Sequence, residues 1–145
     1  MKKNLLKLIT VSAITLLIVS CGGSKKGNGF ELKGTLTNSG GEVLVLEQMS
    51  QQSGYVFIDS AIVDEKGNFE FTHIKPTAID FFRLKTSEAN FAVLVADSTQ
   101  QITFTGDAKN LGTNYNVEGS PDTKQFIEIN KELLAVSKQL DSLQG

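Results

Sequence analysis

The chain has 145 residues, 40% hydrophobic and 21% charged, which accommodates one ordinary domain and an appendage rather than two independent domains. One Cys excludes an internal disulfide, a Cys-x-x-Cys redox pair and a thiolate zinc site, and a single histidine, His73, removes histidine-rich metal sites and most catalytic triads. A formal charge of -2 leaves no basic footprint for nucleic acid.

The first 21 residues give an address. Met1, Lys2, Lys3 and Asn4 form a short basic start, Lys7 follows, and residues 8–19 (LITVSAITLLIV) are an apolar run. Twelve residues of helix rise about 18 Å against the ~30 Å of a hydrocarbon core, so the run suits a signal peptide better than a stable span. Ile18-Val19-Ser20-Cys21 resembles the bacterial lipobox. The resemblance implies cleavage between Ser20 and Cys21, diacylation of the Cys21 thiol and acylation of the new amine. Each buried acyl CH₂ contributes ~0.8 kcal/mol, so two or three chains hold a protein on a bilayer. In this reading Cys21 is an anchor and not a catalyst.

Loss of residues 1–20 removes three lysines and no acid, leaving 11 bases against 16 acids spread along the chain, as on a solvated surface. Residues 22–29 (GGSKKGNG) hold four glycines and form a flexible tether of roughly 15 Å reach. Lys25 and Lys26 either touch anionic head groups or simply solvate the linker. With no acidic cluster behind Cys21, the expected location is the cell envelope, lipid-anchored, at the outer membrane facing the periplasm.

From residue 30 the pattern is that of short strands. Residues 30–37 alternate strictly, with Phe30, Leu32 and Leu36 on one face, as in a half-buried antiparallel strand. Asn38-Ser39-Gly40-Gly41 has hairpin chemistry. Within residues 42–48, the run Val43 to Leu46 predicts a strand covered on both faces. After a loop at residues 51–54 come strands at 55–63, 68–72, 79–86, 91–96 and 101–105, and a weaker one at 114–118. Seven or eight strands separated by turn signals predict a mainly β fold, an antiparallel β-sandwich or open barrel, over residues 30–119. The expected core includes Leu32, Leu36, Leu44, Leu46, Phe69, Phe71, Phe82, Leu84, Leu94, Ile102 and Phe104.

The period then changes, and residues 120–145 read as one C-terminal amphipathic helix. Ser120 is a capping residue, Pro121 suits the first helical position, and Asp122 puts an acid in the first turn. Phe126, Ile129, Leu133, Val136, Leu140 and Leu143 follow steps of three and four, a heptad seam that Ile127 and Leu134 widen. A stripe of that width favours a face packed on its own domain over a coiled coil. The same six residues are the candidate surface for a protein partner or self-association.

No motif for chemistry stands out. Asp64, Glu65, Asn68 and Glu70 lack the order and frame of a calcium hand, and a hairpin turn before Phe69 explains them. His73 has no second His or Cys near it in sequence and reads as a surface residue. Asp59 is a solvent-face or edge-strand charge. Serine-nucleophile and phosphate-loop patterns are absent from the sequence. No catalytic, metal or cofactor-binding residue is assigned.

Five pieces occur in order: the lipobox; Phe30 to Leu36 as Phe-x-Leu-x-Gly-x-Leu; residues 58–64 (IDSAIVD) leading into Gly67-Asn68-Phe69-Glu70-Phe71; Thr105-Gly106-Asp107; and Val117-Glu118-Gly119-Ser120 before the helix. Together, over roughly residues 30–143, they resemble the N-terminal domain of unknown function found on thiol–disulfide oxidoreductase lipoproteins of the thioredoxin-like, AhpC/TSA class in Gram-negative bacteria. In that family the catalytic Cys-x-x-Cys lies in a thioredoxin-like domain after the helix. No position here matches it, so no catalytic role carries over. Either the chain is a fragment or short form, or the β-domain acts alone; the helix would be the connector.

Three functions follow as expectations. The first is a non-catalytic, lipid-anchored β-domain that presents or positions a partner. The alternative is an envelope binding protein for a small ligand, peptide or glycan, using aromatics such as Tyr55, Phe57 or Tyr115. An enzyme in its own right is disfavoured, because the inventories of nucleophile, base and metal ligand are nearly empty.

Overall fold

The computed structural model describes residues 29–143 apart from Thr77 and the His73 side chain; the leader, Cys21 and the tether as far as residue 28 lie outside the described residues. Eight strands form two four-stranded sheets, followed by one helix. They are β1 (Phe30–Thr37), β2 (Val43–Ser50), β3 (Gly54–Ile62), β4 (Asn68–Ile74), β5 (Asp80–Ser87), β6 (Asn90–Ala96), β7 (Gln101–Asp107), β8 (Tyr115–Glu118) and α1 (Pro121–Leu143). The first sheet has the order β4-β1-β7-β8 and the second β3-β2-β5-β6. The fold is thus a β-sandwich with a C-terminal helix, and all eight expected strands are present.

All eleven expected core residues are buried between the sheets. Phe30, Ile74, Leu111 and Val117 join them. Aromatic edges knit this layer: Phe30 meets Phe82 with ring centroids 5.0 Å apart, and Phe69 meets Phe104 at 6.0 Å. Each such ring contributes roughly 1.5–3 kcal/mol by leaving water. Gly34 lies in β1 between Phe69 and Phe104, where a Cβ would stand 2.3 Å from the Phe104 carbonyl oxygen. The approach of β1 to β7 therefore requires a residue without a side chain.

Three expectations need correction. β1 and β7 pair in parallel, Leu32 opposite Ile102 and Gly34 opposite Phe104, whereas every other pair is antiparallel. Residues 38–41 and 64–67 are not hairpin turns, because each carries the chain from one sheet to the other. A corner needs the same positive-φ residues as a hairpin, and Asn38, Gly41 and Gly67 supply them. Lastly, the run Val43 to Leu46 is not covered on both faces. Leu44 and Leu46 are buried, but Val43 is exposed and Val45 half-buried, because β2 presents them on the outside of its sheet.

The helix is placed by its first turn. Gly119 turns the chain with φ +82, and a Cβ there would meet the Gln101 carbonyl oxygen at 1.9 Å. Ser120 caps the helix, its Oγ accepting the Thr123 amide at 3.2 Å. The Ser120 hydroxyl donates to the Val95 carbonyl at 2.7 Å, and Thr123 Oγ1 accepts the Val95 amide at 2.8 Å. The start of α1 thus lies against the edge of β6.

Its direction follows from the topology. β8 runs antiparallel to β7, which is parallel to β1, so Ser120 lies at the end of the sandwich where the chain enters at Phe30. Ile127, Asn130 and Leu134 then line a small cavity of about 70 Å³ with Gly112, Thr113 and Tyr115, at the opposite end. The helix runs back along the sandwich to that end, where Leu134 lies beside Gly112 and Tyr115, and the remaining residues 135–143, about 13 Å of helix, are all exposed.

Candidate functional site

The two sheets differ on their outer faces. The first shows Glu31, Lys33, Thr35, Glu70, Thr103 and Thr105 to solvent, a polar surface throughout. The second has apolar and aromatic residues around an ion cluster. The register builds it in rows, since residues directly opposite one another in antiparallel strands share a face. One row crosses all four strands as Phe57–Glu47–Arg83–Val93, and the next reads Ser60–Val45–Lys85–Phe91. A bulge at Ile58 separates the pairs Leu46–Asp59 and Glu47–Phe57 and brings Phe57 and Tyr55 onto this face.

Arg83 lies at the centre with 3% of its surface exposed. Its Nε donates to Glu47 and its Nη2 donates to Glu88 at 2.8 Å. Lys85 Nζ lies 2.8 Å from Glu47 Oε1 and is also paired with Glu88. The Tyr55 ring covers the guanidinium, with Cζ 3.4 Å from its centroid, and the Phe91 centroid is 5.6 Å away. Two cations and two carboxylates balance. Burial raises the Glu47 pKa, but the hydrogen bonds and charges of Lys85 and Arg83 outweigh it and hold the carboxyl below its usual range. Burial acts against the Arg83 charge, yet Glu47 and Glu88 push its pKa up. Every group of this cluster is in its charged form at neutral pH, which suits a fixed electrostatic feature and not proton transfer.

Beside it opens a cleft of about 810 Å³ between the β2–β3 hairpin and the start of β5. Tyr55, Phe81 and Met49 supply its apolar wall; Gln48, Gln52 and Asp80 its polar groups, with Gln48 Nε2 donating to Asp80. Phe81 is also met edge-on by Phe126 of α1, ring centroids 6.1 Å apart, so this face continues onto the helix.

The aromatics named from sequence divide here. Tyr55 is 50% exposed and Phe57 61% exposed, both on this face. Tyr115 is not available: its ring stacks on Phe104 and its hydroxyl donates to the Val93 carbonyl at 3.0 Å. Burial raises its pKa against the pull of that hydrogen bond. Glu47, Arg83 and Lys85 were not singled out by sequence. Their only signal is charge inside otherwise apolar strands, and the β2–β5 register is needed to see that they meet.

The acidic turn has a structural role. Asp64 accepts hydrogen bonds from the Lys66 amide at 2.8 Å and the Asn68 amide at 2.7 Å, shaping the corner before β4. Asp59 is an edge-strand charge whose carboxylate accepts the Ser60 amide at 2.8 Å. Among the described residues no three His, Cys, Asp or Glu side chains stand together as a metal site, and no helix is long and apolar enough to cross a membrane.

The helix seam is not packed on its own domain as its width predicts. Thr123 is buried and Ile127 packs against the core, whereas Ile129, Leu133, Leu134, Val136, Leu140 and Leu143 are all exposed, Leu143 by 82%. At about 100° per residue the sandwich-facing side holds Thr123, Ile127, Asn130 and Leu134, and the seam lies roughly a third of a turn round from it. One wide stripe is in fact two faces, bordered by Phe126.

These features belong to a defined class. The chain belongs to the family described as domain of unknown function DUF4369, which matches residues 30–126, from the first strand into the first turns of the helix. No curated protein matches it. Among solved structures it is similar to sea bream transthyretin in complex with thyroxine, with a TM-score of 0.41 and 14% identity over 64% of this chain and 97% of that one.

Proposed function

We propose that the protein is a lipid-anchored, non-catalytic module of the cell envelope that presents or positions a partner near the bilayer. Cys21 carries the acyl chains at the periplasmic face of the outer membrane, and residues 22–29 are the tether. One observation supports this reading above the others: α1 begins at the end where the chain enters the sandwich and projects past the opposite end with its apolar seam open. A partner on that seam is carried away from the membrane. The resemblance to the accessory N-terminal domain of thiol–disulfide oxidoreductase lipoproteins supports the same arrangement, with the helix in the connector position.

The test is metabolic labelling with a palmitate analogue, followed by membrane fractionation. Wild type takes up label and partitions with membranes; Cys21→Ser does neither. Label-free wild type and a membrane-bound Cys21→Ser would overturn the anchor. Purified protein shows no turnover in an insulin reduction assay, and clear turnover would overturn the non-catalytic part.

A second reading rests on the cleft between Tyr55 and Phe81. There the protein binds a small ligand, peptide or glycan bearing an apolar or ring surface. A ligand at 100 times its Kd stabilises by ~2.7 kcal/mol, so a thermal-shift screen detects it, and Tyr55→Ala abolishes the shift.

A further inference from the structure

We infer that the open seam of α1 is covered by copies of the same chain, in a parallel bundle of three or four helices. The inference rests on the partner-facing role of the helix proposed above and names the partner. The step sizes fix the heptad positions, because three-residue steps run from a to d and four-residue steps from d to a. Leu133 and Leu140 therefore take a, and Ile129, Val136 and Leu143 take d. Two-stranded coils favour β-branched residues at a and Leu at d. Here the order is reversed, with Leu at the two a positions of the open seam and β-branched residues at its first two d positions; Phe126, the a position before them, packs against Phe81 of the sandwich. That arrangement shifts preference to three or four strands.

The flanks agree. The e and g positions beside this seam are Asn130, Ser137, Glu132 and Gln139, with one charge among them. Two-stranded coils commonly place Glu and Lys there to fix the partner at a solvated rim. Neutral flanks instead allow each helix to bury more of its girth, as larger bundles require. The seam is also accessible, since Ile129, Leu133, Val136 and Leu140 are all about half exposed or more, about a third of a turn round from the sandwich-facing side. Anchored in one bilayer, the copies enter from the same side, so their helices run parallel.

Sedimentation equilibrium of the full chain in density-matched detergent tests this. Wild type gives three or four times the monomer mass. Leu133→Asp combined with Leu140→Asp gives the monomer mass with an unchanged strand signal in circular dichroism, because both side chains are exposed in a single copy. Exchanging the seam residues (Leu133→Ile, Leu140→Ile, Ile129→Leu and Val136→Leu together) gives twice the monomer mass. A wild type at one or two monomer masses overturns the inference, and so does an exchanged seam that still gives three or four. Neither result bears on the palmitate labelling, so failure of the bundle and failure of the anchored-module reading are distinguishable.

Discussion

Thr123 Oγ1 accepts the amide hydrogen of Val95 at 2.8 Å, and with that bond the first turn of α1 closes the open edge of β6. An edge strand leaves a row of unpaired N–H and C=O groups. Here hydroxyls replace the missing strand: Ser120 donates to the Val95 carbonyl at 2.7 Å and Tyr115 to that of Val93 at 3.0 Å. Thr123→Val keeps the shape and removes the acceptor, leaving a buried amide unsatisfied. The expected loss is about 1–3 kcal/mol. Thermal melts followed by circular dichroism check it, at roughly 4 °C for each kcal/mol in a domain of this size. A Tm unchanged within a degree would show that the edge does not depend on the helix.

The ion cluster gives a graded series. Arg83→Met leaves the buried Glu47 with Lys85 as its remaining partner, so the cost stays below the about 3–5 kcal/mol of a buried pair broken outright. Replacing both, Arg83→Met with Glu47→Leu, recovers most of that, because the buried carboxylate that lost its guanidinium is removed as well. Glu88→Ala costs little, since its side chain is 75% exposed and water screens the pair. Urea denaturation of the four proteins gives the ordering; a double variant as unstable as Arg83→Met would contradict it.

The ease of reading this fold varied by element, for physical reasons. Strands such as Phe30–Thr37 announced themselves because one face is solvated and the other packed, so the two-residue period survives in the sequence. The helix start was legible because Ser120, Pro121 and Asp122 each answer a local requirement. Strand order was not. The parallel pairing of β1 with β7 joins residues about seventy positions apart, and nothing local in Leu32 or Ile102 encodes it. The same holds for Glu47 and Arg83, which meet only through register. In α1 the apolar count was right but its meaning was hidden: Ile127 and Leu134, which only widened the stripe on paper, are the residues on the sandwich side.

Acid weakens the fold in a defined direction. Burial raises the Glu47 pKa, but Lys85 and Arg83 hold it below its usual range. Asp64 is lowered chiefly by its bonds to Asn68, and Glu88 by Lys85 and Arg83. The folded chain therefore binds fewer protons than the unfolded chain between the ordinary carboxylate values and these lowered ones, and stability falls as pH drops through that window. Tm is expected to be steady from about pH 7 to about pH 5 and to decline below about pH 4.3. Glu47→Gln removes part of the decline, and Asp64→Asn another part. A wild-type Tm that rises on acidification would contradict the assignment.

Two glycines make a matched comparison of space. A Cβ at Gly34 would meet the Phe104 carbonyl oxygen at 2.3 Å and Phe69 Cε1 at 2.9 Å, whereas at Gly40 it meets nothing within 4 Å. Gly34→Ala must therefore push β1 and β7 apart at the middle of the first sheet, and overpacking of this kind costs about 1–3 kcal/mol or more. The nearest obstacle is backbone, so trimming the ring with Phe69→Leu does not rescue it. Gly40→Ala removes freedom from the unfolded chain without a clash and gains about 0.4–1 kcal/mol. Both substitutions add one methyl group to a glycine within seven residues of each other. Opposite signs in their melting temperatures thus report the contact between β1 and β7 and not a general response to alanine. If Gly34→Ala melts with or above wild type, the close approach of these strands is wrong.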